Sequence, residues 1–114
     1  MPFINSRVST PMTEQQKDSL KGKLGSVITM IPGKSEEWLM LEFTENCEFY
    51  FRVAKEQASA MIEIKVFGSI PEDCLDEMTK RICEIYETEL RIKKDHIYVK
   101  YEECYKWGWN GTNF

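Results

Sequence analysis

Pro2 follows Met1 directly, so removal of the initiator leaves proline as the first residue and exposes a secondary α-amine. An α-amine titrates at about 7.7–8.0 in the open. Burial, or a neighbouring cation, disfavours the protonated form and lowers that value. A neutral amine at working pH abstracts protons, and the transfer is efficient when the base titrates near that pH. The competing reading is an ordinary strand that starts Met-Pro. Other chemistries have less to work with. Cys47, Cys74, Cys83 and Cys104 form no Cys-x-x-Cys pair, so neither zinc nor thioredoxin-type chemistry is signalled. Scattered cysteines fit a reducing compartment better than a disulfide framework. Cys74 and Cys83 fall in a helical pattern and read as small core or half-buried residues. His96 is the sole histidine, which leaves neither a metal-ligand set nor a Cys–His dyad. With no glycine-rich phosphate loop either, the expectation is chemistry without metal or cofactor.

The 114 residues fit one domain, spanning 1–114. A domain of this size buries roughly two-thirds of the surface its unfolded chain exposes. The composition, 42% hydrophobic and 30% charged, is that of a globular protein. No apolar run approaches the ~20 residues of a membrane span, and no basic segment precedes an apolar one at the start, so neither a membrane nor a secretory signal is expected. A net charge of −4 argues against a nucleic-acid partner, which needs a basic face. Arg91 to Lys94, broken by Ile92, reads as a solvated helix end.

Two similar units must position these residues. Phe3 to Val8 alternates and reads as a strand. Thr13 to Gln16 is a capping box, followed by Leu20, Leu24, Val27, Ile28 and Ile31 at helical spacing. Gly25 inside that helix costs about 1 kcal/mol relative to alanine unless it serves close packing. Pro32-Gly33 ends the helix. Trp38 to Phe43 reads as a second strand, and Phe49 to Val53 as a short one. In Ala60 to Phe67, Ile62, Ile64 and Val66 make one face wholly apolar. Pro71 suits the first position of a helix, with Glu72 and Asp73 favourable in its first turn. Leu75, Met78, Ile82, Ile85 and Tyr86 form its stripe, and His96 to Tyr101 is a further strand. The two halves are offset by about 58–60 residues, and Lys34 to Trp38 shares its spacing with Lys94 to Tyr98, which reads as a duplicated βαβ unit. The expected fold is α+β: a four-stranded mixed sheet with two helices on one face. Its other face is left bare, the apolar residues of the sheet need cover on both sides, and one domain cannot supply it, so oligomerisation is expected.

The N-terminal MPFI strand, Gly33-Lys34 after the first helix, the Ile64-containing strand leading through Gly68, Asp95-His96-Ile97-Tyr98-Val99, and the terminal GWNGTNF together resemble the macrophage migration inhibitory factor family of the tautomerase superfamily. The resemblance spans the whole chain, and its most specific parts are the Pro2 start and Gly108 to Thr112. It implies a homotrimer with sites between subunits, and keto–enol tautomerisation with the processed Pro2 amine as base. It implies that Lys34 meets the substrate carboxylate, that the Ile64 backbone faces the substrate, and that Tyr98 comes from the adjacent subunit. Trp38 stands where relatives carry an aromatic near the pocket mouth, and Trp109 and Phe114 match aromatics at its rim. Lys100 departs from the pattern, replacing the asparagine of the mammalian member. The mammalian Cys-x-x-Cys is replaced by Glu56-Gln57-Ala58-Ser59, so thiol oxidoreduction is not carried over. The tail is closer to microbial and protozoan members.

Moving a proton between oxygen and carbon of a 2-oxo acid needs a base, a cation for the carboxylate and apolar walls. Pro2, Lys34 and the aromatic set supply these, and Lys34 would also lower the amine pKa by its charge. Lys100 is expected to add a second cation. On the other side, Lys34 after a helix-ending glycine is also what a solvated loop lysine looks like. Trp107 and Trp109 could simply pack a terminal strand, Tyr98 could be core, and Asn110-Gly111-Thr112 reads as a turn. The acidic pairs Glu36-Glu37 and Glu102-Glu103 read as solvated. The alternative function is a cytokine-like protein that binds a receptor and has a vestigial pocket. Such proteins are exported without a signal peptide, so a cytoplasmic location and export are both compatible with the chain. Dehalogenation or decarboxylation would need arginines beside Pro2, and only Arg7 and Arg52 lie in the first half.

Overall fold

A computed structural model describes residues 1–114. Strand β1 (Pro2–Val8) leads into helix α1 (Glu14–Ile28), a 3-10 turn (Glu36–Trp38) and strand β2 (Met40–Thr44). The pattern then repeats as β3 (Ala60–Phe67), α2 (Glu72–Leu90), a second 3-10 turn (Lys94–His96) and β4 (Ile97–Cys104). A small hairpin, β5 (Gly108–Trp109) and β6 (Thr112–Asn113), closes the chain. The sheet order is β2-β1-β3-β4, parallel within each unit and antiparallel between β1 and β3. Pro2 and Ala60, Glu14 and Glu72, and Glu36 and Lys94 are each 58 residues apart, so the duplication holds. It pairs Lys94 with Glu36 and not with Lys34. The shared Lys34–Trp38 and Lys94–Tyr98 spacing is therefore coincidental.

The capping box forms as read: Gln16 N–H donates to Thr13 Oγ1 (3.1 Å) and the Gln16 side chain accepts from Thr13 N–H (2.9 Å). Helix α1 stops at Ile28, one turn before Pro32-Gly33, but Ile31 still packs fully buried beyond it. Gly25 does serve close approach, because a Cβ there would lie 2.6 Å from the Glu36 carboxyl carbon. Pro71 sits just before α2 rather than inside it. Strand β2 begins at Met40, because Glu36–Trp38 coils into the 3-10 turn. Phe49 to Val53 is not a strand. Arg52 (φ 55) and Val53 (φ 67) both turn left-handed, which folds the segment into a tight loop bridged only from Phe51 to Ala54.

The core lies between the helices and one face of the sheet. Ile4, Ile62, Ile64 and Val66 are fully buried against Leu20, Leu24, Ile28, Met78, Ile82 and Tyr86. At about 25 cal/mol per Å² of apolar surface, each such aliphatic side chain contributes roughly 1.5–3 kcal/mol. Tyr86 Oη shares a 2.5 Å hydrogen bond with Ser6 Oγ inside this core, and burial holds the phenol far above its ordinary pKa. Two helices thus cover the whole apolar side of β3. The opposite face is mixed, with Phe3, Met61 and Phe67 beside a row of charges. Arg7 donates to Glu63 (2.7 Å), Lys65 lies 3.9 Å from the other Glu63 oxygen, and Lys100 pairs with Glu102 (3.0 Å). Asn5, with its amide turned to suit both neighbours, donates to Glu42 (3.1 Å) and accepts from Arg7 (3.2 Å). Period-two alternation concentrates the buried aliphatic residues on one side. Met40 and Tyr98 are exposed on the edge strands of the other face, Trp109 and Phe114 at the terminal hairpin, and Trp38, Tyr50, Val53 and Tyr105 on turns and loops.

Candidate active site

Residue 2 opens the central strand β1, and its position follows from the antiparallel register. Pro2 pairs with Val66, and Phe67 N–H donates to the Met1 carbonyl (3.1 Å). Pro2 is buried although it starts the sheet. After α1, Gly33 adopts φ 82, a conformation glycine takes without strain, and Lys34 N–H donates to Ile31 C=O (3.1 Å). This reversal aims Lys34 along the end of the sheet. Its Nζ donates to the Phe67 carbonyl (2.6 Å) and lies 6.0 Å from the Phe67 ring centroid. Both backbone groups of Phe67 are thus engaged around residue 1. Burial first, then the charge of Lys34 and a hydrogen bond with it, lower the pKa of the terminal amine carried by Met1 below the ordinary α-amine value.

The walls come from two further segments. The 3-10 turn delivers Glu37 and Trp38. The terminal hairpin turns at Asn110 (φ 52) and Gly111 (φ 82), an Asn-Gly pair suited to a tight reversal, and Phe114 N–H donates back to Trp107 C=O (3.0 Å). The hairpin sets Trp109 edge-on to Trp38, with centroids 5.1 Å apart and planes at 86°, and Phe114 against Phe67 at 5.4 Å. A pocket of about 520 Å³ results, bounded by Pro2, Glu37, Trp38, Trp107 and Trp109 together with Met1.

A model of the macrophage migration inhibitory factor family matches residues 1–114. The chain belongs to this family. Among solved structures it is similar to MIF2 of Leishmania major, with 29% identity, all of this chain and 97% of that one covered, and a TM-score of 0.92. It is also similar to the family homologue of Prochlorococcus marinus, with 26% identity, 98% of each chain covered and a TM-score of 0.83. The Entamoeba histolytica family member, at 21% identity, covers 99% of this chain and 98% of its own, with a TM-score of 0.86, and shares the fold. A search of curated proteins found no match.

Within one chain of this family member, Pro2, Trp38 and Trp109 line the pocket and Lys34 and Phe114 meet at Phe67, whereas Ile64 and Lys100 lie elsewhere, as does Tyr98, which was expected from an adjacent subunit. The Ile64 side chain is fully buried in the core, and its ladder partners are Ile4 and Tyr101. Phe67 is the β3 residue whose backbone meets residue 1. Tyr98 pairs with Met61, five residues along β3 from Val66, or roughly 16 Å at about 3.3 Å per residue. It is exposed, edge-on to Phe51 at 4.9 Å, and so is not core. Lys100 stands opposite Glu63, and its hydrogen bond and charge pairing with Glu102 raise its pKa above the ordinary lysine value. It is a compensated cation in this chain. Arg7 and Arg52 are occupied by Glu63 and Asp95, away from Pro2. Sequence reading missed Phe67, Glu37 and the pocket position of Trp107. Phe67 follows only from which residue β1 starts opposite, and Glu37 was passed over as half of a solvated acidic pair.

Proposed function

We propose that this chain, one domain over residues 1–114, is a cofactor-free keto–enol tautomerase of phenylpyruvate-like or enol carboxylates. Its base is the Pro2 amine, set free by loss of Met1. The observation that carries this reading is the convergence on residue 1 of the Lys34 ammonium and the Phe67 amide at a buried strand end. The reaction moves one proton and oxidises nothing. The neutral Pro2 nitrogen takes the proton from the enol oxygen, the O–H bonding pair closes the carbonyl, and the C=C π-electrons take the proton back at carbon from the resulting ammonium; the ketone-to-enol direction is the reverse. A base that titrates near working pH serves both steps. Lys34 holds the substrate carboxylate. Phe67 N–H, whose partner is the Met1 carbonyl, turns to a substrate oxygen once Met1 has gone, since an unpaired amide is costly to leave buried. Trp38, Trp109, Phe67 and Phe114 form apolar walls that exclude water. Tyr98 lies too far along the sheet to serve its own Pro2, and Lys100 is held by Glu102; in a homotrimer they would face a neighbour's pocket.

The test joins intact mass to a phenylpyruvate tautomerisation assay for the processed chain, Pro2→Gly, and a form that keeps Met1. Turnover by the processed chain, lost in both others, is expected. Equal turnover by the Met1-retaining form would end the proposal, because its Pro2 nitrogen is an amide.

A further inference from the structure

All three tryptophans of the chain line one pocket, and they do so beside a carboxylate. Trp38, Trp107 and Trp109 line the mouth of the Pro2 pocket with Glu37. Trp38 and Trp109 pack edge to face, with centroids 5.1 Å apart and planes at 86°, and Trp107 lines the same pocket beside them. Glu37 is exposed and makes no ion pair or hydrogen bond with any other side chain, whereas Glu36 turns back over Gly25 of α1. Indole faces attract cations through the negative π-cloud, and tryptophan does so best. A carboxylate free of internal partners adds attraction of the same sign.

We propose that this mouth is a cation-recognition subsite, an aromatic cage closed by Glu37, and that the pocket selects 2-oxo or enol carboxylates whose far end carries an ammonium group. The pocket is then dipolar. Its chain-terminal end, at Met1 and Pro2, is positive because the Lys34 charge and hydrogen bond act on the terminal amine there; the indoles are its apolar middle, and Glu37 supplies its negative charge. A bolaform substrate with a carboxylate inside and a cation outside matches both ends. A second carboxylate at the far end meets Glu37 and is rejected. The substrate half of this inference rests on the tautomerase reading of Pro2; the cage itself does not.

Two measurements separate the inference from that reading. The first titrates tryptophan fluorescence of the processed protein with benzylammonium, benzyl alcohol and benzoate, which differ little in size and need no turnover. Benzylammonium should bind about three- to tenfold tighter than benzyl alcohol, the range that an exposed cation–π contact plus a rim carboxylate supplies. Benzoate tests only the inner end. Glu37→Gln, a change on an exposed turn, should reduce the ammonium-to-alcohol ratio toward the about two- to fivefold that the indoles alone supply. The second compares kcat/KM for phenylpyruvates carrying aminomethyl, hydroxymethyl or carboxylate groups at the para position. The aminomethyl compound should lead and the carboxylate should trail, with the spread compressed in Glu37→Gln. An ammonium-to-alcohol ratio near one, or one that Glu37→Gln leaves unchanged, overturns the cage whatever the turnover. Ammonium binding that depends on Glu37, without turnover of any substrate, supports the cage and defeats the tautomerase reading instead.

Discussion

Replacing Lys34 by methionine should raise the pKa of the Pro2 amine. Lys34 Nζ is fixed by the Phe67 carbonyl at 2.6 Å, and its charge and hydrogen bond already act on the chain terminus. Two unit charges about 5 Å apart repel by roughly 0.8 kcal/mol in water and by roughly 3 kcal/mol at an effective dielectric of about 20. Residue 2 is buried but opens onto a pocket, so its environment lies between these limits. At about 1.36 kcal/mol for each tenfold change, a repulsion of this size shifts the proton equilibrium by about fourfold or more. The sign is fixed. A neighbouring cation disfavours the protonated amine, so removing it favours protonation. The neutral fraction at pH 7 falls by up to the same factor. Methionine keeps the length and apolar bulk of the stem while removing the charge. The assay is acylation of the processed terminus by an uncharged reagent, followed by intact mass across pH 5–9, so that substrate binding plays no part. Lys34→Arg keeps the charge and should stay near the parent curve. An unchanged acylation pKa in Lys34→Met, with the fold intact, would refute the claim that Lys34 tunes this amine.

Two further outcomes are expected. Tyr86→Phe leaves the buried Ser6 hydroxyl unpaired and should cost about 1–3 kcal/mol in urea unfolding; adding Ser6→Ala should recover part of that loss, and strict additivity would show that the hydrogen bond contributes nothing. Glu89 on α2 accepts from Lys23 and from Ser19 (2.8 Å) on α1, and these two bonds, Lys23 first, lower its carboxyl pKa. Its contribution is therefore complete above the ordinary glutamate value of about 4.3 and is lost as pH falls through the lowered folded value. Glu89→Gln should flatten that acid limb of the stability curve, and an unaltered limb would show that the helix pair draws nothing from the ionised carboxylate.

Much of the architecture was readable because its signals are local. The Thr13–Gln16 capping box is a bond pattern within one turn, and it formed as expected. The alternation of Ile62, Ile64 and Val66 assigned both the strand and its buried side. Two βαβ units related by a shift of 58 residues imply the sheet, because right-handed crossovers leave few alternatives. Local patterning failed where several residues compete for one conformation. Phe49 to Val53 has strand composition, yet two successive left-handed residues turn it into a loop. Trp38 has strand propensity, yet it ends a 3-10 turn.

The sequence by itself determined the elements, the apolar side of each, membership of a tautomerase-type family pattern and the chemical potential of a proline at position 2. Only the tertiary structure decided what surrounds that proline. Starting β1 opposite Val66 makes Phe67, not Ile64, the residue that meets the chain terminus. The same pairing sends Tyr98 to the far end of β3 and Lys100 to its middle, and lines the uncovered face with Arg7, Glu63 and Lys65 beside Phe3 and Met61. Register is a relation between strands some sixty residues apart. It is set by the total fit of the core, and no short window of residues encodes it.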